Sequence, residues 1–199
     1  MTDGGDPAGI GDLPGLVAFL QAAERLKDTL RSGHTAGGRP ESTAEHSWRL
    51  CLMVLVLERH LPGIDLLRLL KLCLVHDLGE AISGDVPATR QTADDDKAAR
   101  ERADLTALSA PLPEAERAAI LALWDEYDAA ATPEAVLAKG LDKIETVLQH
   151  AIGANPTDFD YGFNLTYGAD RTGAHPLLAA LRTLADAATR ARMPPAEMD

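Results

Sequence analysis

Two polar residues, His76 and Asp77, end a leucine-rich stretch of the chain and restrict how that stretch can fold. Leu69, Leu72 and Cys73 precede His76 at helical spacing, so the histidine continues the apolar face of a helix. Asp77 continues a neighbouring line of apolar residues on the same helix. Both side chains are therefore expected to point toward the protein interior.

Burying an imidazole beside a carboxylate costs free energy unless something pairs the two groups. A divalent cation would do so, because it binds neutral imidazole and carboxylate oxygen together. Glu80 follows His76 by about one helical turn, and Gly79 and Gly84 indicate that the helix ends there. The pair taken alone is more typical of a simple histidine–aspartate ion pair at a helix end, so the remaining residues must decide.

Charge and composition exclude several classes of protein. The net charge of −12 argues against a nucleic-acid polymer as partner, although one nucleotide needs only a local basic pocket. Cys51 and Cys73 lie in apolar helical stretches and are predicted to be free thiols in a reducing compartment. The first residues lack the basic and apolar regions of a signal peptide, and the longest apolar run is too short to cross a bilayer. We expect a soluble, cytoplasmic protein.

The periodicity of the apolar residues predicts an all-α fold. Alanine and leucine are abundant, and no alternating β pattern is present. We expect one domain over 13–192, with flexible ends at 1–12 and 193–199. Loops are expected at 35–41, 83–95 and 153–174. The expected helices span 13–30, 43–59, 65 to the His76-Asp77 pair, 96–109, 113–129, 132 to about 150, and 176–192.

The helix predicted over 43–59 is expected to be the central one, because Leu50 to Leu57 is apolar on every side. Ser42 or Thr43 is a suitable N-cap for it. His46 lies on an apolar line of this helix, where a histidine is more often a satisfied core residue than a ligand. Asp142 lies beside the apolar stripe of the helix that begins near Thr132, where an acid is usually solvated.

Four residues from separate segments nevertheless form an ordered set: His46, the His76-Asp77 pair and Asp142. This order resembles the HD-domain metal-dependent phosphohydrolases, and most closely their 5′-deoxynucleotidase branch. The resemblance rests on the segments Glu41 to Arg49, Val75 to Glu80 with Gly84-Asp85, and Leu141 to Glu145, with support from Leu123 to Tyr127 and Arg31 to Gly33. It covers roughly 14–152 and implies a single-domain helical bundle of the HD-domain type.

The resemblance implies that His46, His76, Asp77 and Asp142 hold one divalent transition metal. Two imidazoles and two carboxylates suit Mn²⁺, Co²⁺, Fe²⁺, Ni²⁺ or Zn²⁺, and this ligand set does not choose among them. Two acidic ligands would offset the charge of the ion and leave coordination positions for water and phosphate.

The resemblance also assigns four residues around the metal. Glu80 matches an acid that orients or deprotonates the nucleophile, and Asp85 matches an acid that protonates the leaving oxygen or holds a sugar hydroxyl. Arg31 matches an arginine that clamps the phosphate. Lys97 and Glu101 match a Lys-x-x-x-Glu spacing near the active site of the family, which implies that Lys97 contacts the substrate. A surface ion pair explains the same two residues. Each of the other three residues also has a structural alternative. Glu80 could be a helix-end acid, Asp85 a turn former, and Arg31 a partner of the helix dipole.

One departure from the family concerns the sugar. A tryptophan that can exclude a 2′-hydroxyl commonly follows the arginine, whereas Ser32 stands there in this chain. The resemblance therefore implies phosphate hydrolysis without implying a deoxyribose preference.

Three functions compete at this point: a metal-dependent phosphatase of nucleoside 5′-monophosphates, an HD phosphohydrolase acting on a nucleoside triphosphate or specialised nucleotide, and a non-catalytic module that binds metal or nucleotide. Glu80 and Asp85 argue against the third, since binding alone would not need both acids. A homodimer is expected from the resemblance, and from Trp124 and the aromatic residues Phe159, Tyr161 and Phe163, which could instead close the core.

Overall fold

The protein is a helical bundle with one small β-hairpin, as seen in a computed structural model that describes residues 12–88 and 96–193. The all-α fold class predicted from the sequence is confirmed. Within the described residues, ten α-helices are present: α1 Leu13–Ala23, α2 Thr43–Leu57, α3 Leu66–Val75, α4 Glu80–Ser83, α5 Lys97–Leu108, α6 Glu114–Ala129, α7 Pro133–Ile152, α8 Tyr161–Asn164, α9 Ala169–Thr172 and α10 Pro176–Arg190.

Local sequence explains where several of these helices begin. Ser42 and Glu45 form a reciprocal capping box at the start of α2. Asp96 caps α5 through Ala99 N, and Thr132 caps α7 through Ala135 N, directly before Pro133. The predicted starts of these three helices are therefore confirmed by their hydrogen bonds.

The central helix is α7, and the prediction that α2 is central is wrong. Helix α2 has nearly its predicted span, followed by a 3₁₀ turn over Glu58–His60. However, one side of it faces solvent: Trp48 is 66% exposed and Val56 is 68% exposed. Helix α7 packs against α2, α3, α6 and α10. An apolar run shows only that a helix can be buried on all sides; the arrangement of its neighbours decides whether it is.

Helices α7 and α10 approach each other closely at Gly140. A Cβ atom on Gly140 would lie 2.2 Å from Leu178 Cδ1, and the Leu178 side chain is fully buried. A larger residue would therefore force the two helices apart. This contact secures the half of α7 that carries Asp142.

The structure also differs from the predicted elements over 13–41. The helix expected over 13–30 ends at Ala23 and continues as a 3₁₀ turn over Glu24–Lys27. An antiparallel hairpin follows, with β1 at Leu30–His34 and β2 at Pro40–Ser42, where a helix end and a loop were expected. The strands are short, so they carry too few residues for an alternating pattern to be recognisable.

Two apolar clusters form the core. One joins α2, α3, α7 and α10, and the other joins α1, α5 and α6 around Trp124. Trp124 is buried, and its Nε1 donates a hydrogen bond to the His76 carbonyl at 3.1 Å. The expectation that Trp124 contributes to a dimer surface is therefore wrong, because its side chain completes the interior beside His76.

Some expectations lie outside what the structure describes. The predicted flexible ends lie outside the described residues except for Asp12, which caps α1, and Met193. The predicted loop over 83–95 is described only to Ala88. The expected loop over 153–174 contains two single-turn helices, α8 and α9. Among the described helices, none combines the length and the apolar composition required to cross a bilayer.

Candidate active site

The structure brings the four predicted metal ligands to one point in the interior. His46 comes from α2, His76 and Asp77 follow α3, and Asp142 comes from α7. His46 Nε2 lies 3.2 Å from Asp142 Oδ1, and His76 Nε2 lies 3.0 Å from Asp77 Oδ2. The two cross distances are 3.8 Å, from His46 Nε2 to Asp77 Oδ2, and 3.9 Å, from His76 Nε2 to Asp142 Oδ1. Ligand atoms about 2.1 Å from one ion stand roughly 3 to 3.5 Å apart when they are neighbours.

The two histidine nitrogens have no hydrogen-bond partner that would explain their burial. Within the described residues, His46 Nε2 and His76 Nε2 are buried atoms without a well-aligned hydrogen bond, although carboxylate oxygens lie close to both. Buried polar atoms are normally satisfied. A cation between these nitrogens and oxygens would satisfy all four, so the residues fit a metal ion.

Each imidazole ring is fixed by a hydrogen bond at Nδ1, on the side of the ring that faces away from the candidate metal ligands. His46 Nδ1 bonds to the Glu145 carboxylate, and His76 Nδ1 donates to the Cys73 carbonyl at 2.8 Å. Donation from Nδ1 leaves the Nε2 lone pair facing the cluster. Metal-binding histidines characteristically have such partners, which fix the tautomer and the ring orientation.

Asp142 is oriented in the same way by two neighbours. Tyr127 OH donates to Asp142 Oδ2 at 3.0 Å, and Lys143 Nζ lies 2.9 Å from that oxygen. The other oxygen, Oδ1, is left to face His46. Burial opposes the charged form of Asp142, but Lys143 and His46 outweigh this and hold its pKa well below the usual range. The carboxylate is therefore ionised and ready to bind a cation.

Glu145 and Tyr127 were missed as site residues by the sequence analysis, although both lie in segments that carry the resemblance. Glu145 is fully buried. It follows Asp142 by three positions, so both side chains lie on one face of α7. A buried acid at that spacing from a candidate ligand was the available signal.

We expect Glu145→Ala to weaken metal binding about 10- to 100-fold, the usual effect of losing such a supporting residue. The variant leaves His46 Nδ1 and Arg49 Nε without their carboxylate partner. Equilibrium titration with Mn²⁺ or Co²⁺ measures the effect. Glu134→Ala, at the partly exposed start of the same helix, is the control and should bind metal like the parent protein. Unchanged affinity in Glu145→Ala would show that the ring of His46 is fixed by packing alone.

A second group of possible ligands, Glu41, His46 and Glu145, lies on the other side of His46. Two arginines already neutralise this group. Arg49 Nε donates to Glu145 Oε1 at 2.6 Å, and Arg31 Nε lies 3.7 Å from Glu41 Oε2. Burial and the charge of Glu145 raise the pKa of Glu41 to about 7. We therefore regard this group as support for His46 and Arg31, not as a metal site.

Glu80 lies in α4, buried beside the candidate metal ligands and on the wall of the cavity described below. Thr43 Oγ1 donates to Glu80 Oε2 at 3.0 Å. Burial, together with the charges of Asp77 and Asp85, raises the pKa of Glu80 to about 9 against the opposing effect of Arg31. An acid with such a perturbed pKa beside a cavity has the property expected of a proton-transfer group.

Arg31 lies on β1 and not at a helix end, so the helix-dipole alternative is wrong. Its Nη1 lies 3.4 Å from Asp77 Oδ2, and its Nη2 donates to Thr146 Oγ1 at 3.0 Å. The side chain is largely buried and lines the cavity. The hairpin, which was not predicted from the sequence, is thus the element that brings Arg31 to the candidate metal ligand Asp77.

Asp85 and Lys97 also line the cavity. Burial raises the pKa of the Asp85 carboxyl. Lys97 Nζ lies 3.2 Å from Glu101 Oε1, so the ion pair considered as the alternative is present. The ion pair does not exclude a substrate-side role for Lys97, which lines the cavity, and that role stays a prediction.

The cavity has a volume of about 450 Å³, which is within the range of small-molecule sites. Its inner end is formed by Asp77 and Asp142. Its outer wall comes from the segment over 156–167, which the sequence-based resemblance did not cover. The residues of that wall are Pro156, Asp158, Phe159, Asp160, Phe163 and Tyr167. The site is therefore an open pocket that leads from solvent to the candidate metal ligands.

Comparisons with known proteins agree with this geometry. A family model described as HD domain matches residues 23–181. Mouse 5′-deoxynucleotidase HDDC2 is 33% identical over 144 residues, 71% of each chain. The Dictyostelium discoideum protein of the same name is 30% identical over 177 residues, 83% of this chain and 93% of its own.

A solved structure gives the same result at the level of the fold. The crystal structure of a predicted metal-dependent phosphohydrolase from Magnetospirillum magnetotacticum is 30% identical, with a TM-score of 0.75. The match covers 89% of this chain and 95% of that one. From its family match, its relatives and its fold, this chain belongs to the HD-domain phosphohydrolases.

Proposed function

We propose that this protein is a metal-dependent phosphohydrolase that removes phosphate from nucleoside 5′-monophosphates. The observation that carries the proposal is the cavity itself, in which two of the candidate metal ligands, Asp77 and Asp142, face the same space as Arg31 and the acids Glu80 and Asp85. Relatives at about this level of identity are named 5′-deoxynucleotidase, which supports the same substrate class.

His46, His76, Asp77 and Asp142 would hold one divalent transition metal, which could be Mn²⁺, Co²⁺, Fe²⁺, Ni²⁺ or Zn²⁺. When bound, such an ion neutralises a phosphate ester and lowers the pKa of a coordinated water. The buried carboxylates around His46 favour a positive charge at this position. Although burial and Arg31 oppose a charge on His46, Glu145 and Asp142 raise the pKa of its imidazole to about 10.

The residues around the metal set have separable tasks in this proposal. Arg31 has a planar guanidinium suited to two phosphate oxygens, and its contacts with Asp77 and Thr146 fix its position. Glu80 takes or directs the proton of the attacking water. Asp85, with its raised pKa, is suited to give a proton to the leaving 5′-oxygen or to hold a sugar hydroxyl. Lys97 would lie toward the rest of the substrate.

Charge favours a monophosphate over a triphosphate. The outer wall of the cavity carries the carboxylates Asp158 and Asp160, and Lys97, which also lines the cavity, is paired with Glu101. Further phosphate groups placed there would meet like charge. Phe159 and Phe163 on the same wall offer apolar faces to a nucleobase instead. A purely binding role remains the third alternative, which the two acids beside the metal cluster do not favour.

A nucleotide panel with added Mn²⁺ or Co²⁺ tests the proposal. Nucleoside 5′-monophosphates should release inorganic phosphate, and triphosphates should be poor substrates. Release of triphosphate or pyrophosphate would support the second function, and no turnover with any metal would support the third. Paired ribo- and deoxyribonucleotides in the same panel test the sugar, where Ser32 lines the cavity and leaves room beside Arg31.

We also propose that the protein is a homodimer formed by the exposed side of α2 and α3. Six large apolar side chains are exposed on these two packed helices: Trp48, Leu52, Leu55, Val56, Leu67 and Leu74. Stable interfaces remove about 800 Å² per partner from water, and a two-helix face can meet its own copy across a two-fold axis.

Light scattering at micromolar concentration should give the mass of a dimer, and Leu55→Glu should give a monomer, because each interface would then bury two unpaired charges. Leu184→Glu, at an exposed leucine on α10, is the control. A monomeric parent protein would contradict the proposal.

The cytoplasmic location stays a prediction, consistent with the two free cysteines.

A further inference from the structure

Lys143 is a charged side chain at the metal cluster to which the family resemblance gave no role. It follows Asp142 on α7 and lines the cavity. Its Nζ lies 2.9 Å from Asp142 Oδ2 and 3.1 Å from Tyr167 OH. An ammonium group has three N–H donors. In the part of the chain that the structure describes, these two oxygens account for two of them, which leaves one donor for a ligand in the cavity.

The segment after α7 is shaped to hold this lysine. Gly168 has a positive φ of 65°, and a Cβ atom there would lie 2.6 Å from Lys143 Cγ. The backbone therefore packs directly on the lysine stem, at a position suited to glycine. Lys143 Nζ also lies 5.1 Å from the centre of the Tyr167 ring, within the range of a cation–π contact.

The segment that carries Tyr167 is itself fixed by α10. Buried Arg182 donates to the Tyr167 carbonyl at 2.6 Å and to the Asn164 carbonyl at 2.7 Å. Asn164 in turn hydrogen-bonds to His150 on α7 at 2.9 Å. Tyr167 is thus held between two long helices, and its hydroxyl has a defined position above Lys143.

Lys143 and Arg31 converge on the same face of α7. Arg31 bonds to Thr146, which follows Lys143 by three positions and is therefore its neighbour on the helix surface. Each cation also contacts a different carboxylate of the metal cluster: Arg31 contacts Asp77, and Lys143 contacts Asp142. Two cations held beside one cluster of metal ligands form a site for a multiply charged oxyanion.

We propose that Lys143 is a second phosphate-binding residue, which works with Arg31, and that Tyr167 is the residue that positions it. This proposal rests on the proposed phosphohydrolase function, because the anion is taken to be the phosphate of the substrate or product. The 153–174 segment then does more than form the outer wall of the cavity, because its Tyr167 sets the position of the Lys143 ammonium group that binds phosphate.

The test measures binding of inorganic phosphate to the metal-loaded full-length protein by calorimetry, alongside KM and kcat for a hydrolysed nucleoside monophosphate. Lys143→Met keeps the length of the side chain and removes its charge. We expect it to weaken phosphate binding about 10- to 100-fold, the usual range for a charged hydrogen bond. Lys143→Arg should recover most of that loss. Tyr167→Phe keeps the ring and should weaken phosphate binding about two- to tenfold, as for a neutral hydrogen bond.

Lys139→Met is the matched control. Lys139 lies one turn earlier on α7, pairs with Asp128 and rests on the Tyr127 ring, but does not line the cavity. It should bind phosphate like the parent protein. Metal content and thermal midpoint are measured for every variant, since a purely structural lysine would change those and leave phosphate affinity at constant metal content unaltered.

Unchanged phosphate affinity in Lys143→Met overturns the proposal. So does loss of metal in Lys143→Met that accounts for all of the lost phosphate affinity, because Lys143 would then act only through Asp142. If the protein hydrolyses no nucleotide, the proposed function fails, yet the calorimetric comparison still decides whether Lys143 binds phosphate. The two failures are therefore distinguishable.

Discussion

Asp77→Ala should lose both the bound metal and at least about 10³-fold in phosphate release. The metal contribution to such a reaction is worth several kcal/mol, and each 1.36 kcal/mol corresponds to about tenfold in rate. Asp77 Oδ2 lies 3.0 Å from His76 Nε2 and 3.8 Å from His46 Nε2, so its removal takes one of the two carboxylates from the ligand set. It also removes the Nη1 contact of Arg31, which is 3.4 Å long.

Elemental analysis of the purified variant, with circular dichroism to check the fold, separates metal loss from unfolding. Asp128→Ala is a suitable control, because Asp128 is a partly exposed acid that pairs with Lys139 away from the cavity. The control should keep full metal content and activity. Full metal occupancy in Asp77→Ala would contradict the assignment of Asp77 as a ligand.

Glu80→Gln should retain its metal and lose about 10²- to 10⁴-fold in kcat, the range that general acid–base catalysis contributes. The substitution keeps the shape of the side chain, and its amide oxygen can still accept the hydrogen bond from Thr43 Oγ1. What it removes is the ability to take up or release a proton. Because the pKa of Glu80 is raised to about 9, the proton is held on this group near neutral pH in the metal-free molecule.

Three comparisons make the Glu80 result specific. Glu101→Gln applies the same chemical change to an acid that pairs with Lys97, and should cause a much smaller loss. Arg31→Ala should instead raise KM, because it removes a phosphate contact. If Glu80→Gln lowers the metal content, Glu80 is a metal ligand and not the proton-transfer group. If it turns over at the parental rate with metal bound, Asp85 or the metal alone must activate the water.

Much of the fold could be predicted because its signals are local. Capping residues and apolar spacing act within a few positions of one another, so Ser42 with Glu45 and Thr132 with Pro133 specified two helix starts correctly. The histidine–aspartate pair was predicted to face inward from the same kind of pattern, and it does. The four candidate ligands lie together in the structure, while their role in binding metal stays a prediction.

The missed features all depend on contacts between residues distant in the chain. Glu145 fixes the His46 ring across 99 positions, and Arg31 reaches Thr146 across 115. The hairpin that carries Arg31 has strands too short for a periodic pattern. Exposure of one side of α2 likewise reflects which helices pack beside it, and apolar composition does not specify those neighbours.

The sequence by itself therefore determined the helical class and several helix ends, because the free energies involved arise within single helices. It also predicted the four candidate metal ligands through the family resemblance, and their role in binding metal stays a prediction. Only the tertiary structure decided which helix is central, which oxygen of Asp142 faces His46, and that the 156–167 segment closes the cavity over Lys143. Those features follow from packing α7 against α10 at Gly140 and against the start of α9 at Gly168, where close approach fixes distances that no local pattern encodes.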